Sequence, residues 1–245
     1  MNQNGIVTVV FGTKCDKLAA HTFLMSRKYT DLPILVLTNI KEENRYRLWS
    51  SVDNVTFKYY DLKDNENRIA KLQMIKHTIF EKSIYIDADS FVQSKEFDKL
   101  YDRIEYDSLL LNPLMIMTKN TKIPNIYMKT IKQFNLESPL NIYNGAFIGF
   151  MNTKKTQDFF DMWYKIWDEF GRNREMSCLA GAVQKTNINV ICLNNGEYAP
   201  DTKNINALVQ HNYYADFFKN IGISNVIELT KPKTDKTDFR MTIWE

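Results

Sequence analysis

Short apolar runs alternate with amphipathic segments through the first half of this chain. The runs at residues 6–11, 34–39 and 55–60 are rich in β-branched and aromatic residues, and each ends at or directly before a small or polar residue, which is typical of buried strands. We expect helices between them, over residues 17–29 and 42–50. Strands that alternate with helices predict an α/β fold with a mostly parallel central sheet and helices on both faces.

A longer amphipathic segment predicts a helix over residues 68–81. Its apolar stripe consists of Ile69, Leu72, Ile75, Ile79 and Phe80. A further apolar run follows within a few residues and ends in Asp87 and Asp89. Ligands bind beyond the carboxyl ends of the strands in such sheets, so we expect the ends of the first four predicted strands to share one edge.

The two aspartates are the first candidate for chemistry. Side chains two residues apart on an extended strand point to the same side, so Asp87 and Asp89 are expected on one face, roughly 6–7 Å apart. Two neighbouring carboxylates repel each other unless a cation lies close to both. Mg²⁺ and Mn²⁺ bind such oxygens together with substrate phosphates. The pair therefore favours a metal–diphosphate site, and the alternative is a pair of solvated loop charges.

The second half of the chain is less regular, but its segments fit within a single domain covering residues 1–245. Apolar patterning predicts strands at residues 108–117, 144–150 and 190–193, and helices at 123–134, 156–170 and 175–185. From residue 231 the composition becomes charged, and residues 231–245 are interpreted as a C-terminal tail.

Composition excludes several classes of protein. Apolar residues make up 44% of the chain and charged residues 25%, as in ordinary globular proteins, and a net charge of +3 gives no case for a nucleic-acid partner. The three cysteines, Cys15, Cys178 and Cys192, lack metal-ligand spacing and favour free thiols in a reducing compartment. Neither a signal sequence nor an apolar run of ~18 residues is evident, so we expect a cytoplasmic protein without a transmembrane segment.

Taken together, these residues resemble the GT-A glycosyltransferases, the clan that includes glycogenin and the bacterial lipopolysaccharide galactosyltransferases. The likeness runs from Ile6 to about Lys219. Its most specific part is Lys71-Leu72, then a helix, then the sequence YIDADSFV at residues 85–92. The resemblance implies a GT-A fold in which residues 1–107 form the nucleotide-binding half and residues 108–230 the donor-sugar and acceptor half.

The resemblance also assigns roles to individual residues. It implies that Mn²⁺, or Mg²⁺, is held by Asp87, Asp89 and His211. It implies nucleotide binding by Phe11, Gly12, Thr13, Asn39, Arg68, Lys71 and Ala88. It implies contacts to the donor sugar from Asn141, Asn144 and Gly145. Glu175 stands where many relatives have an acidic residue near the anomeric carbon and is the candidate catalytic residue.

This sequence departs from the family pattern at four places. No Tyr follows the first strand where relatives stack the uracil, and Phe11 stands in for it. The usual Asp-Gln pair is Glu175-Met176, and the Gly expected two residues after Asn144 is Ala146. The Lys expected six residues after the metal His is absent, and Lys219 lies eight residues after His211. The stereochemistry therefore stays open: Glu175 as a general base implies inversion, whereas Glu175 as a positioning group allows retention.

The resulting expectation is a metal-dependent glycosyltransferase. It would move a sugar from a nucleoside-diphosphate sugar, with UDP favoured, to a saccharide or another hydroxyl acceptor. One alternative is a phosphatase of the haloacid-dehalogenase type, but that class needs a nucleophilic Asp near its first strand, which carries none here. The other alternative is a nucleotide-sugar-binding domain without activity. The sequence does not identify the sugar or the acceptor.

Overall fold

A seven-stranded sheet forms the centre of the computed structural model, which describes residues 4–117, 125–138, 140–199, 204 and 206–211. The strands are β1 (Asn4–Val10), β2 (Ile34–Thr38), β3 (Val55–Tyr59), β4 (Lys82–Ile86), β5 (Ser90–Val92), β6 (Ser108–Met117), β7 (Leu140–Met151), β8 (Asn189–Cys192), β9 (Tyr198–Ala199) and β10 (Val209–His211). The α-helices are α1 (Thr13–Ser26), α2 (Asn67–Leu72), α3 (Asn125–Phe134), α4 (Lys154–Glu169) and α5 (Glu175–Thr186).

The order of strands in the central sheet is β3-β2-β1-β4-β7-β6-β8. Strands β3, β2, β1 and β4 run parallel to one another, and β6 and β8 are also parallel to each other. Only β7 is antiparallel, to both β4 and β6. The α/β fold with a mostly parallel sheet, predicted from the sequence, is thus confirmed. The carboxyl ends of β1, β2 and β4 meet at one edge.

Helices cover both faces of this sheet, as predicted. Side chains alternate along β1, so that Val7 and Val9 pack on one side and Ile6 and Val10 on the other. The first side carries α2, α4 and α5, whose buried side chains include Trp163. The second side carries α1 and the 3₁₀ segments Arg47–Ser51 and Lys95–Arg103, and its buried side chains include Phe23, Trp49 and Phe97.

Two helix predictions are corrected by the structure. The predicted helix over residues 42–50 is instead a pair of short 3₁₀ segments, Glu42–Asn44 and Arg47–Ser51. The predicted helix over 68–81 ends at Leu72, because the chain must turn back to enter β4 at Lys82, and Ile79 is 52% exposed instead of lying on an apolar stripe. The strand predicted over 144–150 extends from Leu140 to Met151.

A second sheet of three strands, in the order β5-β10-β9, was not predicted. Strand β5 follows the two aspartates directly and pairs antiparallel with β10, with Ser90 opposite His211. This pairing brings His211 from the far end of the described chain to the end of β4. Residues 123 and 124 of the predicted helix, Lys219 and the tail at 231–245 lie outside the described residues. None of the described helices is long and apolar enough to cross a membrane.

Candidate metal-binding active site

The loops that follow the first three strands are tied together by Asn39. The Gly12 N–H donates to Asn39 Oδ1 over 2.9 Å. Asn39 Nδ2 donates to the Leu62 carbonyl over 3.0 Å and to Asp64 Oδ1 over 2.8 Å. Gly12 has φ 79°, and a Cβ on it would lie 2.8 Å from Asp64 Oδ2. A glycine is therefore required here, both by its backbone conformation and by the approach of Asp64.

A cavity of about 630 Å³ opens beside these loops, at the carboxyl ends of β1 and β4. This is the sheet edge at which ligands of open α/β folds bind. Its walls come from β1, the start of α1, the face of α2 and the segment that follows β4. The predicted site residues that line it are Phe11, Gly12, Thr13, Arg68, Lys71, Asp87, Ala88, Asp89 and Glu175.

The two aspartates lie in a tight turn and not on an extended strand. Strand β4 ends at Ile86, and the Ser90 N–H donates to the Asp87 carbonyl over 2.9 Å to close the turn. The expectation that strand alternation aligns the two side chains is therefore wrong in its geometry. The convergence itself is present, because one ligand atom from each of Asp87, Asp89 and His211 lies within 4.8 Å of the others.

Strand β7 supports this turn from behind. The Asp87 N–H donates to the Ala146 carbonyl over 3.1 Å, and the Ala146 N–H donates to Asn144 Oδ1 over 2.9 Å. Leu111 of β6 pairs with Ile148 of β7, but the next residue of β6, Asn112, pairs with Asn144. Residues 145–147 therefore form a bulge in β7. A Cβ on Gly145 would lie 3.7 Å from Lys71 Nζ. Asn144 and Gly145 thus lie directly behind the residues that line the cavity.

His211 completes the acidic cluster. Its residue exposure is only 3%, and Nε2 lies 3.2 Å from Asp89 Oδ1. Burial lowers the pKa of this imidazole, but Asp89 and Asp87 outweigh burial and raise the pKa above its usual value. Two carboxylates and one imidazole provide two oxygen ligands and one nitrogen ligand. That set fits a divalent cation such as Mn²⁺, and the imidazole makes it less suited to Mg²⁺.

Lys71 is a buried cation beside this cluster. Its Nζ lies 3.3 Å from Asp87 Oδ1 and 3.2 Å from Glu175 Oε1, and 4.9 Å from the ring centre of Tyr85. Burial by itself lowers the pKa of Lys71, but the two carboxylates more than compensate, and the net pKa is raised. The ammonium group therefore stays charged at neutral pH.

Glu175 begins α5 and faces two cations. Its Oε2 accepts a hydrogen bond from Arg68 Nε over 2.7 Å, and its Oε1 is the oxygen beside Lys71. Burial raises the pKa of this carboxyl, but Lys71 and Arg68 outweigh burial and hold the pKa at about 2. Trp163 fixes the start of the helix by donating its Nε1–H to the Glu175 carbonyl over 2.8 Å. Glu175 is therefore an ionised, anchored carboxylate.

Five predicted site residues do not line the cavity itself. Asn39 holds Gly12 from outside it, Asn144 and Gly145 lie behind its wall, and His211 lies beside Asp89. Asn141 is an exposed residue of β7 opposite Ile116. Seven further residues line the cavity and were not predicted from the sequence. These are Val9, Lys14, Cys15, Leu18, Asp64, Asn67 and Tyr85. A usable signal existed for Asp64, because it lies four residues before Arg68 and seven before Lys71, as expected for one helical face.

Solved glycosyltransferase structures share this fold. The galactosyltransferase LgtC, in complex with donor and acceptor sugar analogues, matches with a TM-score of 0.62 at 15% identity, over 96% of this chain and 98% of LgtC. The bifunctional glycosyltransferase WbbM matches with a TM-score of 0.62 at 13% identity, and this chain spans about half of it (51%). Mouse xyloside xylosyltransferase 1 matches with a TM-score of 0.55 at 8% identity, over 85% of this chain.

At such identities the likeness establishes the fold. The chain has the GT-A fold and is similar in structure to the galactosyltransferase LgtC. The sequence itself matches no family model and no curated protein. The residue roles therefore depend on the geometry of this chain.

Proposed function

We propose that this chain is a metal-dependent glycosyltransferase that moves a sugar from a nucleoside-diphosphate sugar, with UDP favoured, to a saccharide or another hydroxyl acceptor. The observation that carries the proposal is the convergence of Asp87, Asp89 and His211 within 4.8 Å, at the rim of a cavity of about 630 Å³ in a GT-A fold. A cavity of that volume has the size of an ordinary small-molecule site.

The divalent cation would be held by Asp87, Asp89 and His211. When bound, it would neutralise the charge that develops on the departing diphosphate. Breaking the bond between the anomeric carbon and the phosphate oxygen leaves the nucleoside diphosphate with additional negative charge. Lys71 lies beside Asp87 and already carries a positive charge, so it would stabilise that leaving group without having to reorganise.

The proposed donor orientation follows from the charges along α2 and the segment before it. Arg68 and Lys71 provide positive charge near the metal ligands, where a diphosphate would bind. Asp64 lies at the other end of this face, beside Gly12, where an anion would be repelled. We therefore place the nucleoside near Phe11, Gly12 and Thr13. Asn39 would act indirectly, by holding Gly12.

The donor sugar would lie on the opposite side of Lys71, toward the bulge of β7. Gly145 is close to Lys71 Nζ, and Asn144 fixes the bulge through Ala146. Asn141 lies further along the same strand and is exposed, so it could contact the sugar or the acceptor. In this arrangement these three residues would mark the donor-sugar end of the site, away from the nucleoside.

Glu175 has two possible roles, which correspond to different stereochemical outcomes. A general base works best with a pKa near the operating pH, whereas Lys71 and Arg68 hold the pKa of Glu175 at about 2. That value favours a positioning role, in which Glu175 keeps both cations aimed at the diphosphate, and hence retention at the anomeric carbon. NMR couplings of the first anomer released during donor hydrolysis would distinguish retention from inversion.

Donor binding and turnover test the proposal. A thermal-shift screen should show stabilisation by one of the UDP, GDP, CMP or dTDP sugars that depends on Mn²⁺, since a ligand that binds only the folded state raises the melting temperature. Asp87→Asn should reduce Mn²⁺-dependent donor hydrolysis by orders of magnitude. Asp161→Asn, on the exposed face of α4, is the matched control and should keep full activity.

Other outcomes would favour the alternatives. Release of phosphate from simple phosphomonoesters, without cleavage of any sugar donor, would indicate a phosphatase. Donor binding without hydrolysis or transfer in the presence of Mn²⁺ would indicate an inactive binding domain. Full donor hydrolysis by Asp87→Asn would contradict the assigned site.

A further inference from the structure

Tyr85 is a buried residue of the central strand β4 whose side chain ends at the candidate metal site. Only 2% of the residue is exposed, and β4 is flanked by β1 and β7, with Val7 and Ile148 opposite Tyr85. Tyr85 lies two residues before Asp87, and its hydroxyl donates to Asp87 Oδ1 over 2.5 Å. No role for Tyr85 is predicted from the sequence.

The same oxygen of Asp87 accepts from a second donor. Lys71 Nζ lies 3.3 Å from Asp87 Oδ1 and 4.9 Å from the centre of the Tyr85 ring, so the three side chains form one compact group. A carboxylate oxygen has two lone-pair directions, and two donors occupy both. Oδ1 is thereby committed to the protein, and Oδ2 is the oxygen that remains for a ligand.

The phenol can act here only as a donor. A phenol with its ordinary pKa keeps its proton at neutral pH, whereas an ionised carboxylate has no proton to donate, so the tyrosine hydroxyl is the donor of this bond. A hydrogen bond from a neutral donor to a carboxylate is strong and directional. It restricts the rotation of Asp87 about its side-chain bonds before any cation arrives, which lowers the entropy lost when the cation binds.

We propose that Tyr85 is the positioning residue of the metal site: its hydroxyl holds Asp87 Oδ1 so that Oδ2 is presented to the cation together with Asp89 and His211. This inference rests on the proposed function, because it takes the three-residue cluster to be a metal site. It adds a residue whose contribution lies in metal affinity and not in contact with the substrate.

Tyr85→Phe tests the inference, because it keeps the ring beneath Lys71 and removes only the hydroxyl. The matched control is Tyr101→Phe. Tyr101 is equally buried, at 1% exposed, and its hydroxyl donates to the Gly5 carbonyl over 2.8 Å, so it loses one buried hydrogen bond at the opposite end of the sheet. Circular dichroism and melting temperatures would show that both variants fold.

The measurement is a titration with Mn²⁺ alone, followed by the electron paramagnetic resonance signal of the free ion, which is lost on binding. Loss of a group that orients a metal ligand costs about tenfold or more in affinity, so Tyr85→Phe should bind Mn²⁺ at least about tenfold more weakly than wild type. Tyr101→Phe should bind as wild type does. Asp87→Asn should show no saturable Mn²⁺ binding, and that result would establish that the titration reports binding at this site.

The possible outcomes separate this inference from the proposed function. If wild type binds Mn²⁺ and Asp87→Asn does not, but Tyr85→Phe binds as tightly as wild type, the role of Tyr85 is wrong and the metal site stands. An equal loss of affinity in Tyr101→Phe would also overturn the inference, because general destabilisation would then explain the effect. If wild type itself shows no saturable binding, the metal site and the proposed function fail together.

Discussion

Replacing Lys71 with methionine removes the cation that joins the two acidic parts of the site. Methionine fills a similar volume in the buried stem region but leaves Asp87 and Glu175 without their shared partner. Arg68 still pairs with Glu175, whereas the side chain of Asp87 keeps, among the described residues, the hydrogen bond from the Tyr85 hydroxyl. We therefore expect Lys71→Met to destabilise the metal-free protein and to weaken catalysis as well.

The magnitude follows from the two contacts. At 3.2–3.3 Å each contact is worth about 5 kcal/mol in gross Coulomb energy with an effective dielectric constant of ~20, before desolvation is subtracted. Removing one partner of a buried ion pair costs about 3–5 kcal/mol net. Because the Asp87 side chain is 30% exposed to the cavity, we expect the lower end, about 3 kcal/mol.

Urea denaturation with and without Mn²⁺ measures this effect. The variant should lose about 3 kcal/mol of unfolding free energy without metal, and Mn²⁺ should restore more stability to it than to wild type, because the ion replaces the missing positive charge. Donor hydrolysis should fall by about 10²–10³-fold, as for loss of a group that stabilises transition-state charge.

Lys76→Met is the matched control. Lys76 pairs with Asp161 over 2.8 Å, but both side chains are about half exposed, so its loss should cost less than about 1 kcal/mol. The reasoning would be refuted if Lys71→Met were as stable and as active as Lys76→Met. It would also be refuted if Mn²⁺ stabilised Lys71→Met less than wild type, since the two cations would then not share one acidic environment.

Two further predictions concern the neighbouring loops. Gly12→Ala should weaken Mn²⁺-dependent UDP binding, measured by calorimetry, because the added Cβ would meet Asp64. Gly171→Ala is the control, because Gly171 also has a positive φ but has open space around it. That variant should lose about 1 kcal/mol of stability and bind UDP normally. Glu197 is paired with Arg103, and although burial raises its pKa, hydrogen bonds from Arg103 and Asn194 outweigh burial and lower the pKa. Wild type should therefore melt at a higher temperature than Glu197→Gln at pH 7, and this difference should disappear as the pH falls from about 4.5, the pKa range of an unfolded glutamate, through the lower pKa of the folded state. A difference that stays constant down to pH 3 would contradict this prediction.

The fold was predictable from the sequence where the apolar pattern was long or strongly periodic. The buried runs that became β1, β2 and β4 and the aromatic stripe of α4 left little choice of structure, because each has to bury one or both faces. The 3₁₀ segments were not predicted, because the apolar period of a 3₁₀-helix cannot be told from that of an α-helix over so few residues. The small sheet was missed because β9 and β10 are only two and three residues long.

The candidate site was only partly predictable. Asp87, Asp89 and Lys71 stood out through their order along the chain, but the turn at Asp87 and the burial of Lys71 depend on contacts between residues far apart in sequence. The bond from Tyr85 to Asp87 is local, yet a tyrosine in an apolar strand looks like an ordinary core residue. The link from Glu175 to Arg68 spans more than 100 residues and could not be inferred from spacing.

The most direct test of the account is a crystal structure with Mn²⁺ and UDP, with diffraction data collected near the manganese absorption edge. We predict an anomalous difference peak coordinated by Asp87, Asp89 and His211, with the diphosphate bound to the ion and close to Lys71. Well-ordered UDP with no manganese peak at these three side chains, or a peak elsewhere with this cluster facing only solvent, would contradict the central claim.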